Sequence, residues 1–526
     1  MPNCMRRRWR SCAGTDARRP GLEDEQEIMA KRKSGALLTQ IRLARDGMVS
    51  LRRQLEDQLR EAILGGLLTG GTRLPSSRAL AEELEVSRPT VVQALDGLVA
   101  EGFLESRHGS GTFVARSIPP HLPLAVRRAE WGKDSAIRPL RLSRVGAHFA
   151  LLDADITAHD TRPFLPNVPA YDRFPFALWQ KCVNRQTRQL YRTSMGYGDP
   201  AGFAPLRRAI AEYLALHRGD DCDADQIVIT PGGHAAFMIA ALVLTDPGDG
   251  ILFEDPGPLI TRKLFESLDR KLVLTPVDGD GMDFTEAAGA ALPRMAFTMP
   301  SRQHPLGRTL SLNRRIGLLE WAERSDAWIV EDDYDSEFRY TARPLPSIRS
   351  IDRFGRVIYV GTFSKALFPA LRVGYFVLPP ALVGPFRNAV ALMFRGPPMA
   401  MQMALAEFIA EGHFATHLRR MRDLYAVRRQ DFLDEAYRVG VGLFDVERPD
   451  SGMNALVWLP DGLDDRLVAE AALMAGVHSY PLTDYCVRPV ARPALILGFA
   501  GVQHHQLGPG LGALASVIAD RAGRAS

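Results

Sequence analysis

The chain has 526 residues, more than a single hydrophobic core accommodates, so two or more domains are expected. Its 46% hydrophobic and 24% charged residues are ordinary for a globular protein, and no run of about 18 apolar residues offers a membrane span. The net charge of +4 is unevenly spread: residues 1–45 and 117–150 are basic, 46–116 and the remainder slightly acidic, which favours a polyanion near the first module.

Residues 1–45 open with Arg6-Arg7-Arg8-Trp9-Arg10 and no apolar run follows, so they read as a basic, disordered extension rather than a signal peptide. Five cysteines (Cys4, Cys12, Cys182, Cys222, Cys486) are dispersed without metal-ligand spacing. That pattern suits a reducing cytoplasm and argues against both a disulfide framework and a metal centre.

In residues 46–116, Leu51, Leu55, Leu59 and Ile63 recur every fourth position and predict a helix stopped by Gly65-Gly66. Pro75-Ser76-Ser77 opens a second, short helix carrying Leu80 and Leu84. After a tight turn at Glu85-Val86, Ser87 is placed as the N-cap of a third helix, with Arg88 and Pro89 in its first turn and Val91, Leu95 and Leu98 on its core face. Leu104–Arg107, a glycine turn and Thr112–Val114 then read as a small hairpin. Three helices closed by a hairpin make a winged helix-turn-helix, mainly α with a small β wing. The groups at the third helix start, Ser87, Arg88 and Thr90, suit phosphates and base edges of double-stranded DNA. A small helical dimerisation unit without nucleic acid is the other reading of the same pattern. The runs Arg73–Ala81, Val86–Val92 and Gly109–Val114 resemble the GntR class of bacterial winged-helix regulators. That resemblance implies that Arg78, Arg88, Thr90 and the wing residues His108 and Gly109 face DNA.

Residues 117–150 are basic, contain Pro119, Pro120 and Pro123, lack clear periodicity, and read as a linker. From 151 to 526, short buried-strand candidates at Ile227–Thr230, Gly250–Phe253, Ala327–Val330 and Val357–Val360 alternate with helical stretches. The alternation predicts an α/β domain with a largely parallel sheet, and ligands then collect at strand ends.

At those strand ends stand Gly232-Gly233, Asp255, Asp332-Asp333-Tyr334 and Thr362–Lys365, followed by Arg372. These are the groups that hold pyridoxal 5′-phosphate. An amine (Lys365) forms a Schiff base with the aldehyde, a carboxylate (Asp332) keeps the pyridine nitrogen protonated, and Thr362, Ser364 and Arg372 bind phosphate. A helix starting at Gly232-Gly233 adds backbone N–H groups.

The stretches Gly196–Gly202, Glu254–Gly257, Ile329–Tyr340, Gly361–Lys365 and Leu371–Tyr375 resemble the fold-type-I aminotransferases. The whole chain is similar to the MocR subfamily of GntR regulators, in which an aminotransferase-like domain follows the winged helix. That resemblance implies that Tyr334 meets the cofactor's O3′, and that Tyr197 reaches the phosphate of a partner subunit in a head-to-tail homodimer.

The chain departs from the family at Pro258 (usually Tyr), at Gly233-His234 (usually Ser-Gln), and along Ser301-Arg302-Gln303-His304-Pro305-Leu306-Gly307. The expected carboxylate-gripping arginine near Pro493–Phe499 is absent, with only Arg488 and Arg492 nearby. The expectation is therefore a cytoplasmic transcription regulator that senses an amine, an amino acid or pyridoxal phosphate itself. An active aminotransferase with an accessory helical domain is the alternative.

Overall fold

The structure, a computed structural model, describes residues 41–45, 49–107, 110–116, 142–193, except 151–161, and 196–525, except 286–292 and 341–345. It divides into two compact units, Met1–Arg141 and Leu142–Ser526.

In the first unit three helices pack around one apolar core. Helix α1 (Leu51–Leu64) buries Leu55, Leu59 and Ile63, its fourth-residue stripe, and ends where Gly66 takes φ +74°. Helix α2 (Ser77–Glu83) is capped by Ser76, whose hydroxyl accepts from Ala79 N–H at 3.2 Å. Glu85 at φ +50° then makes the turn into α3 (Arg88–Ala100), where the Ser87 hydroxyl accepts from Thr90 N–H at 3.3 Å. Val91, Leu95 and Leu98 of α3 close on α1. Strands β1 (Leu104–Arg107) and β2 (Gly111–Val114) form an antiparallel hairpin, with Leu104 opposite Val114 at its buried end. The expected wing residues His108 and Gly109 lie outside the described residues.

The second unit opens with α4 (Arg144–Ala150), within the stretch read as linker. Arg144 pairs with Asp269 at 2.7 Å. Helices α5 (Phe176–Thr193) and α6 (Ala204–Arg218) lead into a large sheet. Its strands, with the helices between them, are β3 (Ile227–Thr230), α7 (Gly233–Leu244), β4 (Gly250–Asp255), α8 (Leu259–Ser267), β5 (Lys271–Asp278), β6 (Gly281–Met282), β7 (Met295–Thr298), α9 (Leu312–Arg324), β8 (Trp328–Asp333), β9 (Val357–Thr362) and β10 (Gly374–Val377).

The sheet order is β3-β10-β9-β8-β7-β4-β5-β6. Strands β9, β8, β7, β4 and β5 are parallel neighbours, while β10 runs antiparallel to both β3 and β9. The sheet is thus mixed, largely parallel with β10 and β6 reversed. Alternate residues serve opposite faces: Ile227 and Ile229 join one core cluster while Val228 joins the other. Strands buried at every position, such as β3, β7 and β10, need both faces covered, which explains why they lack a polar alternation.

Beyond the sheet, α10 (Pro380–Phe394) packs on α7, and α11 (Met399–Ala410) on α5 and α6. The long α12 (His413–Gly440) leads to a second, antiparallel sheet of order β11-β12-β14-β13. It comprises β11 (Asp445–Val446), β12 (Asn454–Trp458), β13 (Tyr480–Pro481) and β14 (Ala494–Gly498). Helix α13 (Asp465–Met474) covers it, and α14 (His504–Ala525) packs on α12 and α13. The chain enters this unit's core through residues 163–168: Gly498 N–H donates to the Phe164 carbonyl at 2.8 Å and His478 N–H to the Pro163 carbonyl at 3.0 Å.

Candidate functional site

The carboxyl ends of β3, β8 and β9 bring the predicted groups of the second unit together. After β3 the backbone turns at Gly232 (φ +94°), a left-handed conformation that suits glycine, and α7 starts at Gly233. The N–H groups of that first turn have no partner inside the helix and carry the positive end of its dipole. Arg372, itself at φ +52°, lies over this turn: a Cβ on Gly232 would sit 3.6 Å from its guanidinium carbon. Gly374 is needed for the same close approach, since a Cβ there would meet the Gly232 backbone at 3.0 Å. The hydroxyl of Thr362 donates to that of Ser364 at 3.0 Å and accepts from Ser364 N–H at 3.2 Å.

Among the described residues no carboxylate pairs with the Arg372 guanidinium. A helix start, two hydroxyls and an unneutralised guanidinium form a donor set that complements a phosphate dianion. His234, also at this helix start, is held below the usual histidine range by burial and by the neighbouring Arg372 and Lys365.

Lys365 follows β9, and its Nζ donates to the Asn167 carbonyl at 3.0 Å. Burial lowers the amine to about 8, against the opposing pull of Asp335 and Asp332. A lysine in that range has a fraction of its amine unprotonated near neutral pH, the form that attacks an aldehyde. Asp332, at the end of β8, is pushed well above the usual carboxylate range by burial, with Asp333, Asp335 and Glu254 adding to the shift and Lys365 opposing it. No hydrogen-bond donor among the described residues reaches its carboxyl. A protonated pyridine nitrogen is the kind of cation that this carboxyl lacks. The residues present therefore fit pyridoxal phosphate at both ends.

The Tyr334 hydroxyl accepts from Arg302 Nη1 at 2.9 Å. Arg302 is buried, and its remaining donors meet Asp335 (3.4 Å) and the carbonyls of Ser451 (2.9 Å) and Asn454 (3.1 Å). His304 is 8% exposed, its Nδ1 has no hydrogen-bond partner, and burial, then Arg302 and Lys365, lower it to about 3. It is a neutral imidazole with one unused ring nitrogen. Arg302 and His304 stand in the stretch where the chain departs from its family pattern, and that departure was the signal for them. Asn167 and Asn454 carry no local signal.

Other expected residues lie elsewhere. Tyr197 is 79% exposed, with Arg395 of its own chain 5.6 Å from its ring centre. Pro258 is the N-cap of α8. Arg488 and Arg492 line a cleft of about 500 Å³ together with Asp255, Pro256 and Trp458. Both guanidiniums are engaged there, Arg488 on the Leu274 carbonyl (3.0 Å) and Arg492 on Asp445 (2.5 Å).

In the first unit, Arg78 and Arg88 are exposed at the starts of two adjoining helices. Arg88 Nε approaches the Ser77 hydroxyl at 3.5 Å, so the two helix starts form one surface. Ser87 and Thr90 share a hydroxyl–hydroxyl bond of 2.7 Å. Capping thus occupies part of their capacity, and the arginines are the groups freest to meet a phosphate.

Two family models match the chain: "Bacterial regulatory proteins, gntR family" over residues 51–114, and "Aminotransferase class I and II" over residues 168–488. The chain is 40% identical over 476 residues to the probable rhizopine catabolism regulatory protein MocR of Rhizobium meliloti, covering 90% of this chain and 95% of that one. It is 29% identical to the pyridoxine biosynthesis transcriptional regulator PdxR of Corynebacterium glutamicum, covering 86% and 92%. Among solved structures it resembles the α-aminoadipate aminotransferase LysN of Thermus thermophilus, complexed with N-(5′-phosphopyridoxyl)-L-leucine, with TM-score 0.64 and 26% identity over 69% of this chain and 93% of that one.

Proposed function

Because the chain belongs to the MocR group of gntR-family regulators, we propose that it is a transcription regulator whose aminotransferase-like unit holds pyridoxal 5′-phosphate. Its signal is then a small amine or amino acid, or pyridoxal phosphate itself. The observation that carries this reading is the joint presence, in one chain, of an arginine-bearing helix start at Arg88 and the Lys365–Asp332–Arg372 set at the strand ends.

When bound, the cofactor would supply an aldehyde that condenses with an amine, releasing water, and a pyridine ring that draws electrons from it. Each residue then has a defined task. Lys365 presents an amine that burial lowers to about 8, so that it gives up its proton far more readily than an exposed lysine. Asp332 is the buried acceptor for the ring nitrogen, and Tyr334 presents a hydroxyl fixed by Arg302. Gly232, Gly233, Thr362, Ser364 and Arg372 form the anion cradle. The exposed Tyr197 is available to a second copy, which fits a head-to-tail homodimer.

A signal that displaces Lys365 must itself carry a primary amine. The names of these two relatives point to rhizopine catabolism for one and pyridoxine biosynthesis for the other. The regulator works in the cytoplasm, where its double-stranded operator lies; no helix among the described residues is long and apolar enough to cross a membrane. A working aminotransferase is the weaker reading, because Arg488 and Arg492, the nearest candidates for a substrate carboxylate, are already engaged.

The test is visible absorbance of the protein mixed with pyridoxal phosphate, followed by borohydride reduction and peptide mapping. A band fixed by reduction on Lys365, and absent from Lys365→Ala, is expected. A wild-type protein that stays colourless would sink the cofactor assignment.

A further inference from the structure

Two groups that face the cofactor site, the Lys365 amine and the Tyr334 hydroxyl, are joined by an unbroken run of hydrogen bonds through residues far apart in sequence. Lys365 Nζ donates to the Asn167 carbonyl at 3.0 Å. Asn167 and Asn454 clasp each other twice: Asn167 N–H donates to Asn454 Oδ1 at 2.7 Å, and Asn454 Nδ2 donates to Asn167 Oδ1 at 2.8 Å. The Asn454 carbonyl accepts from Arg302 Nη2 at 3.1 Å, and Arg302 Nη1 donates to the Tyr334 hydroxyl at 2.9 Å.

Several features show that the bridge is built rather than incidental. Asn167 stands at φ +64°, a left-handed conformation that asparagine tolerates better than most residues. Phe164, three residues earlier, is at φ +71°, where an aromatic side chain is strained, so this segment is held by its surroundings. Gly452 must be glycine, since a Cβ there would lie 2.2 Å from Arg302 Nε. The segment is also tied to the small sheet, through Gly498 N–H on the Phe164 carbonyl and His478 N–H on the Pro163 carbonyl.

We propose that the Asn167 carbonyl reports whether the Lys365 amine is free, and that the Asn167–Asn454–Arg302 bridge carries this state to Tyr334 and to the small sheet. The proposal rests on the cofactor reading above and adds a route by which the site's state leaves it. A free lysine nitrogen holds two or three protons and spares one for Asn167. Were that nitrogen to condense with an aldehyde, two hydrogens would leave with the aldehyde oxygen as water, and it would keep at most one N–H, fixed in the plane of the new double bond and no longer free to turn onto Asn167. The Asn167 carbonyl would then lose its donor, and residues 163–168 would lose this tie to the large-sheet side while keeping those to β12 and β14. An amine signal that takes over the cofactor returns the lysine nitrogen to its free form and restores the bond. The lysine's state is thereby read in a segment that contacts both sheets.

Amide exchange of peptides spanning residues 162–170, followed by mass spectrometry on the full chain, tests this. In wild-type protein, loading with pyridoxal phosphate should speed exchange there about threefold or more, the size expected from one lost hydrogen bond. Lys365→Ala should exchange at the faster rate without cofactor and should not respond to it. Asn454→Ala should be fast in both states, and Arg302→Lys, which keeps a donor toward Tyr334, should fall between. The visible band is recorded in parallel, so a failed cofactor assignment shows as missing colour. The cofactor-free comparison of wild type with Lys365→Ala then still decides the bridge. Equal exchange in those two cofactor-free proteins, or no change in fully coloured wild type, overturns the proposal.

Discussion

Asp332 and Asp333 are adjacent in the chain yet have opposite surroundings. Asp333 accepts from Arg218 at 2.8 Å, from the Tyr359 hydroxyl at 2.5 Å and from the Ser336 hydroxyl at 2.9 Å. Asp332 has no such donor and is coupled to Lys365 instead. Strand alternation at the end of β8 separates them, since consecutive side chains leave opposite faces. One aspartate is therefore structural and the other is available to a ligand.

Asp332→Asn should leave the fold intact and weaken cofactor retention. A hydrogen bond to a charged partner contributes about 1.5–3 kcal/mol, so affinity should fall roughly 10- to 150-fold. Absorbance titration with pyridoxal phosphate, against wild type, measures it. A change within twofold would show that Asp332 does not meet the ring nitrogen.

Arg218→Ala should act on stability. Both partners of the Arg218–Asp333 pair are buried, with side-chain exposures of 6% and 1%, so removing one leaves an uncompensated charge. The expected cost is about 3–5 kcal/mol, read by denaturant unfolding. Arg218→Met combined with Asp333→Asn should cost less than Arg218→Ala alone, because the pair then leaves together.

These contrasts show what sequence reveals about such a site. Ser87 as a cap, and Leu55, Leu59 and Ile63 as a core stripe, are local signals, and the structure places them so. Lys365 and Asp332 were legible because each follows a recognisable buried strand. The bridge through Asn167, Asn454 and Arg302 was not, because its links span 32 to 287 positions and only Arg302 stands out in its own neighbourhood. Strand direction was equally silent: nothing in Gly374–Val377 says that β10 runs against its neighbours. The Arg218–Asp333 pair needed the third dimension for the same reason.

Arg88→Ala should weaken DNA binding with little effect on folding, since Arg88 is exposed and makes only a long contact to Ser77. Loss of one phosphate contact should lower the slope of log affinity against log salt by about 1. Fluorescence anisotropy with the promoter DNA beside its gene, at several salt concentrations, checks it. An unchanged slope and affinity would remove Arg88 from the interface.

The pH dependence of cofactor capture follows from Lys365. Its amine is lowered from 10.5 to about 8 in the folded protein, chiefly by burial. Only the neutral amine attacks an aldehyde, so the rate of colour formation should rise with pH, with a midpoint near 8, and level off above it. Stopped-flow absorbance across that range measures it, and a midpoint near 10.5 would mean the lysine is solvated. The same shift has a consequence for cofactor-free stability. Between about 8 and 10.5 the unfolded chain holds the lysine proton that the folded chain has released. Stability therefore gains a contribution as pH rises through that window and loses it as pH falls back through 8. Lys365→Met removes the titrating group, so its stability relative to wild type should be greatest below that window and should shrink across it.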